Sequence, residues 1–425
     1  MYTLHKTCRA CGYGPLQTAP GTKTNPGLER LVPVFNLGVQ PLANDFTRDD
    51  GEHAGFAPLE VVLCPRCHLS QLSVVVNPEV LYSRYLYTTS KSNMMQEHFN
   101  RLWNDCRQFV DGPSVIEIGS NDGEFLKFCQ EHGAAAVCGI EPADNLAEIS
   151  RQKGINTIND YFGPQSASLA SDSIPEPGII FARHVFCHVD DWNGFMSNLQ
   201  LLASANTVIC IEVPYVLDQL EQTSFDQIYH EHLSYLSIGA MQMLLNSGPF
   251  GLKSVIHYPI HGGAIVLVIQ RRVTGFVQDA TVQELISREL HLEKQWELFS
   301  IRAAKLITDL REKIMELTNQ NKRVVGFGAS AKSTVWINAM KLNRYHLKAV
   351  YDCTPEKLYR YIPGTDIPVV HQGTFYADGP DYAVMFAWNY AAEILSTQKR
   401  WMEGGGKFII PVPEIRIIGL DGQTS

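Results

Sequence analysis

Short apolar runs alternate with amphipathic stretches through the middle of the chain. Val115–Ile118, the run closing on Cys138-Gly-Ile-Glu141, Gly154–Ile158, Gly178–Ala182 and Thr207–Val213 read as strands. Between them, apolar residues return at helical spacing, with helices expected from near Glu124, over Ala143 to Lys153, and from Met94 to Val110 leading into the first strand. Strands this uniformly apolar are buried on both faces, which predicts a parallel sheet covered by helices. Val255–Ile269 then reads as two β-rich runs joined by His261-Gly262-Gly263-Ala264. From Asp279 to Asn321 there is no Gly or Pro, so one or two long helices are expected there as a spacer. Lys322–Thr334 repeats the strand, glycine turn and helix, followed by strands Ala349–Asp352 and Ala383–Asn389. Before all of this, Phe35–Phe46 is turn-rich, with too little apolar periodicity for a core of its own. An α/β protein follows, in four parts: 1–75, 76–275, a helical linker 276–321, and 322–425.

Composition narrows the class. With 425 residues, 45% of them hydrophobic, the chain can bury more than one core. A net charge of -9 argues against a nucleic-acid partner. No secretory signal opens the chain, and no apolar run, the β-branched Ala264–Ile269 included, approaches the ~20 residues that span a bilayer. A cytoplasmic protein without a membrane partner is expected. Of the ten cysteines, six read as buried small apolar residues. Cys8, Cys11, Cys64 and Cys67 form two C-x-x-C knuckles, the ligand set of a closed structural zinc site. Metal binding would supply the folding free energy the segment lacks.

The chemistry concentrates in turns at strand ends. The first turn, Gly119-Ser-Asn121-Asp122-Gly123, is acidic where a dinucleotide turn would not be, because Glu117 precedes it and Asp122 lies within it. It suits a ligand with a cationic part. Glu141, after the second strand, can hold two ribose hydroxyls, and Asp160 can accept from an adenine amino group. Glu117, Gly119, Asn121, Asp122, Gly123, Glu141, Pro142, Asp160, Tyr85 and Tyr87 are the candidate cofactor contacts, the tyrosines as packing or as a lid. Tyr229-His230-Glu231-His232 is the densest polar cluster; histidine takes a proton near neutrality, and an adjacent acid can orient it. His184 and His188 are four apart, but no third metal ligand stands at recognisable spacing. His261, Gly262 and Gly263 suit close backbone approach to a substrate. In the second glycine turn, Gly328, Ser330 and Lys332 can hold a phosphate on backbone N–H groups and a positive charge, with Asp352, Lys357 and Asn389 at neighbouring strand ends.

The acidic first turn followed by Glu141 resembles the S-adenosylmethionine site of class I methyltransferases. The full order of two zinc knuckles, Glu117–Gly123, Tyr229–His232, His261–Gly263, Gly326–Lys332 and Pro363–Pro368 resembles the C-methyltransferases of deoxysugar biosynthesis, over nearly the whole chain. That resemblance implies a zinc-binding domain, a Rossmann-like methyltransferase domain and a second Rossmann-like domain that helps bind a nucleotide-diphosphate sugar. It implies S-adenosylmethionine and structural Zn2+ as cofactors, His232 as catalytic base, and Tyr229, Glu231 and His188 lining the same pocket. Arg183, where relatives often carry Asn, and Tyr359-Arg360-Tyr361 depart from the family pattern. Removal of a proton beside a ketone needs a base and donors for the enolate oxygen, which these residues offer. O- or N-methylation of a nucleotide sugar and NAD-dependent oxidation remain alternatives, and either a monomer or a homodimer is compatible with the sequence.

Overall fold

The computed structural model describes residues 1–14, 30–48, 55–82, 93–260 and 262–420. Its centre is a seven-stranded sheet built around Val115–Ile118, every residue of which is buried. Val137–Ile140 and Asn156–Ile158 lie on one side; Ile179–Arg183, Val208–Pro214, Ala264–Arg271 and Phe250–Tyr258 lie on the other. Pairing is parallel from Asn156–Ile158 across to Val208–Pro214. Ala264–Arg271, the second strand of the expected hairpin, runs antiparallel to both its neighbours. The cause is its connection: a short hairpin can only join antiparallel strands.

Cys64 and Cys67 lie in the turn joining two strands of a smaller antiparallel sheet of Val32–Pro41, Phe56–Leu63 and Ser70–Leu72, with Ser234–Tyr235 added from the larger unit, and Cys8 and Cys11 follow the separate strand Tyr2–Leu4. Phe35 to Pro41, expected to be turn-rich, lies within the strand Val32–Pro41. Register shifts between Pro33 and Phe35 and between Asn36 and Val39 reset its faces, which hides the period-two pattern in the sequence. Its apolar partner is also remote. Trp296 and Phe299 of the helix Leu292–Asn319 pack on Phe35 at ring-centroid distances of 6.4 and 5.1 Å. Trp296 Nε1 donates to Ser70 Oγ at 2.8 Å, and Ser300 Oγ donates to the Val34 carbonyl at 2.8 Å. Complete burial of Phe299 contributes about 2–3 kcal/mol. The long helix is therefore the missing wall of the small sheet rather than a bare spacer.

The last third forms a second open sheet, with Val324–Phe327 between Val350–Asp352 and Tyr382–Met385, and Val369–His371 and Lys407–Ile410 outside them, all parallel. Arg416–Ile418 closes its edge antiparallel. In an open parallel sheet, side chains at the carboxyl ends of the strands face a common crevice. The carboxyl ends of Val115–Ile118 and Val324–Phe327 lead into loops that line one cavity.

Candidate active site

That cavity has a volume of about 680 Å³, within the range typical of ligand sites. Gly119, Asn121, Glu141, Pro142, Tyr161 and Phe162 line one part of it; His188, Tyr229 and His232 line the middle; Ser330, Lys332, Lys357 and Asn389 line the far part. Three remote stretches of sequence thus meet in one space.

The first glycine turn is less acidic than its composition suggests. Glu117 is fully buried and bound by Arg183 Nε at 2.7 Å, whose guanidinium also lies over the rings of Phe125 and Phe99. Burial raises the Glu117 carboxyl to about 7 despite that partner. Asp122 is buried against Lys153 Nζ at 2.9 Å. Neither of these acids is among the cavity-lining residues; Glu141 is. Its oxygens accept from Asn121 N at 2.8 Å and Ala143 N at 2.9 Å, and a carboxylate keeps further lone pairs for a ligand's hydroxyls. With Tyr161 and Phe162 alongside, this end fits a nucleoside. Asp160 instead caps the Tyr161 amide at 2.8 Å and is not among the lining residues. Packing alone already requires Gly119 and Gly123: both have positive φ, 66° and 73°, and a Cβ would fall 2.3 Å from Val185 Cγ2 or Ser150 Oγ. Tyr85, Tyr87 and His261 lie outside the described residues.

In the middle, the turn Phe225–Gln227 and the residues after it set the histidine geometry. His232 Nδ1 lies 2.8 Å from the Gln227 carbonyl, which can only accept, so the proton sits on Nδ1. The Nε2 lone pair then accepts from the Tyr229 hydroxyl at 2.7 Å. His232 is thus oriented by a backbone carbonyl, and the Glu231 carboxylate accepts from Asn44 Nδ2 at 2.7 Å, reaching into the zinc-bearing unit. His188 stacks between Tyr82 and His232, its Nε2 buried without a hydrogen-bond partner among the described residues. Burial, aided by His184, lowers its imidazolium to about 3. Burial and His188 likewise hold His232 well below 6.5. Cys187 Sγ lies within 4.8 Å of the donor atoms of both histidines, but burial pushes its thiol up to about 12, making it a neutral neighbour.

At the far end, Asp352 Oδ2 accepts from Ala329 N at 2.7 Å and Lys357 Nζ donates to the Ala329 carbonyl at 2.9 Å, so both brace the second glycine turn. Asp352 and Gly328 are not among the lining residues. Gly262 and Gly263 are closed in by protein: a Cβ would meet Trp388 Cη2 at 2.8 Å or the Asp218 carboxylate at 2.3 Å. The sequence reading missed Asn44, Gln227 and Trp388. Their roles depend on pairings across domains, which leave no local pattern.

The four knuckle sulfurs lie within 4.8 Å of one another, with Cys8–Cys67 at 3.4 Å and Cys11–Cys64 at 3.6 Å. Thiolates about 2.3 Å from one tetrahedral ion stand about 3.8 Å apart, so this cluster fits zinc.

Three family profiles match the chain in order: a zinc-binding domain over residues 27–82, a methyltransferase domain over 91–250 and a C-methyltransferase C-terminal domain over 259–413. The C-methyltransferase NovU of Streptomyces niveus is 29% identical over 423 residues, 97% of each chain. These matches make the chain a methyltransferase with a C-methyltransferase C-terminal domain. Among solved structures, the magnesium protoporphyrin IX methyltransferase of Synechocystis PCC 6803 with bound SAH is similar over 44% of this methyltransferase and 91% of its own chain, at 13% identity and a TM-score of 0.34. The PH0226 protein of Pyrococcus horikoshii OT3 is similar over 46% and 97%, at 9% identity and a TM-score of 0.34. This methyltransferase is an S-adenosylmethionine-dependent enzyme with a zinc-binding N-terminal part. Among the described residues, no helix is long and apolar enough to cross a membrane.

Proposed function

We propose that the enzyme methylates the carbon next to the ketone of a 4-keto-deoxysugar linked to a nucleoside diphosphate. The observation that carries this reading is the single cavity lined by Glu141 at one end, Ser330 and Lys332 at the other, and His232 with Tyr229 between them. Glu141, Asn121, Tyr161 and Phe162 would hold S-adenosylmethionine; the cofactor, when bound, supplies a methyl group on a sulfonium. The Ser330 turn and the half-buried ammonium of Lys332 suit a diphosphate. His232 Nε2 takes the proton from the carbon beside the ketone, and the C–H electrons move onto the ketone oxygen. The Tyr229 hydroxyl, freed from Nε2, or His188 in its Nε2–H form donates to that oxygen. With the cofactor bound, the resulting nucleophilic carbon would take the methyl group as the C–S bond breaks, and the sulfur would leave as a neutral thioether.

A panel of 4-keto sugar nucleotides with labelled methyl donor tests the proposal: label should appear on carbon, and label found only on oxygen or nitrogen would refute it. Glu141→Ala should weaken S-adenosylmethionine binding by about tenfold or more, the worth of a charged hydrogen bond, as read by calorimetry. The pH profile gives a further check. Because burial holds His232 well below 6.5, the neutral base persists into mildly acidic solution, so the acid limb of kcat/KM should lie below pH 6.5.

A further inference from the structure

Asp226 has no part in the reading above, yet it is fully buried three residues before Tyr229. Its Oδ2 accepts two indole N–H groups, from Trp336 Nε1 at 2.9 Å and from Trp388 Nε1 at 2.7 Å. These indoles come from different elements of the second sheet unit. Trp336 is on the helix Ala331–Ala339, which starts directly after Ser330; Trp388 precedes Asn389, which lines the cavity. The Trp336 ring also packs edge-on against Phe225 at 4.3 Å. If this contact served packing alone, an apolar residue would do it without the desolvation penalty of a buried carboxylate. A carboxylate gripping two donors instead fixes orientation as well as distance.

What it orients is the next peptide. Phe225–Gln227 is a single 3-10 turn, too short to hold its own direction, and the Gln227 carbonyl at its end receives the His232 Nδ1 proton at 2.8 Å. The Gln227 side chain is tied back to Ser224 Oγ at 3.0 Å. We propose that Asp226 is a positioning residue: through the Gln227 peptide it aligns the His232 ring, and through Trp336 and Trp388 it ties that alignment to the second glycine turn. The inference rests on His232 being the base. A nucleoside diphosphate on the Ser330–Lys332 turn would then bear on elements that carry both indoles, so substrate occupancy and base alignment are coupled. The Lys332 ammonium, whose field favours the ionised Asp226, adds to the same link.

The test compares Asp226→Asn and Trp388→Phe with wild type and His232→Ala, using a deoxythymidine-diphosphate-linked 4-keto-6-deoxysugar as substrate. Asp226→Asn should lower kcat at least tenfold, with substrate KM and S-adenosylmethionine Kd within threefold. Trp388→Phe, which leaves Trp336 in place, should lower kcat less. Combining the two should be non-additive. The Gln227 hydrogen bond raises the affinity of His232 for a proton, so loosening it should move the acid limb to lower pH, which a general loss of packing would not do. Wild-type kcat and an unmoved acid limb in both variants, with His232→Ala inactive, would overturn the coupling alone. If Asp226→Asn does not fold, wild-type behaviour of Trp388→Phe overturns it. Turnover by His232→Ala would overturn the base assignment, and the inference with it.

Discussion

Replacing His232 with alanine is expected to lower turnover by about 10²–10⁴-fold, the usual worth of a general base, while S-adenosylmethionine binds within a few-fold of wild type. The expectation follows from where the ring sits. Its Nδ1 proton is committed to the Gln227 carbonyl, and Nε2 opens on the cavity through Tyr229. His184 and His188 line the same space, and burial lowers both imidazoles. Glu141 and Asn121, proposed to hold the cofactor, come from other stretches of the chain, so binding should survive. Single-turnover kinetics with labelled methyl donor, beside calorimetry, separates the two effects. Retained turnover would remove His232 from the mechanism.

The second large effect concerns folding. Cys64→Ser should yield protein that lacks zinc and is recovered mainly as insoluble or partly unfolded material. Zinc bound by small domains contributes about 10–16 kcal/mol of apparent free energy, comparable to the whole stability of a typical domain. The consequence reaches the cavity, because the zinc-bearing unit does not stand apart. Asn44 donates to Glu231, His230 Nε2 lies 3.2 Å from the Ala57 carbonyl, and Ser234–Tyr235 pairs with Ser70–Leu72. Loss of the knot should therefore loosen the turn that carries His232. Metal analysis, circular dichroism and activity on one preparation check this; a soluble, zinc-free, fully active variant would contradict it.

Much of this protein is legible in its sequence where structure is local. Val115–Ile118 and the turn after it, the helix from Glu124 and the C-x-x-C pairs depend on neighbours a few residues away, and periodicity or spacing reveals them. Glu117 and Asp122 show the limit. Their charges are visible, but Arg183 and Lys153, which neutralise them, arrive from 66 and 31 residues further on. Arg183, a departure from the family pattern, finds its reason as the counter-ion of Glu117. The glycines teach the same lesson: a positive φ is foreseeable at a turn, but Val185, Ser150, Asp218 and Trp388, which crowd the missing Cβ atoms, are not. Phe35 misled for a related cause, since its core partners Trp296 and Phe299 lie on a helix more than half the chain away. The histidine cluster stood out in the sequence, whereas the choice of Gln227 over Glu231 as the group that orients His232 needed coordinates. Adjacent residues on an irregular turn point in different directions, and no repeat predicts which.

The most direct test of the central claim is solvent deuterium exchange at the carbon beside the ketone, followed by nuclear magnetic resonance with enzyme, sugar nucleotide and S-adenosylhomocysteine in deuterated water. The expected result is exchange by the wild-type enzyme and none by His232→Ala. Efficient methyl transfer by an enzyme that leaves this C–H bond untouched would contradict the account.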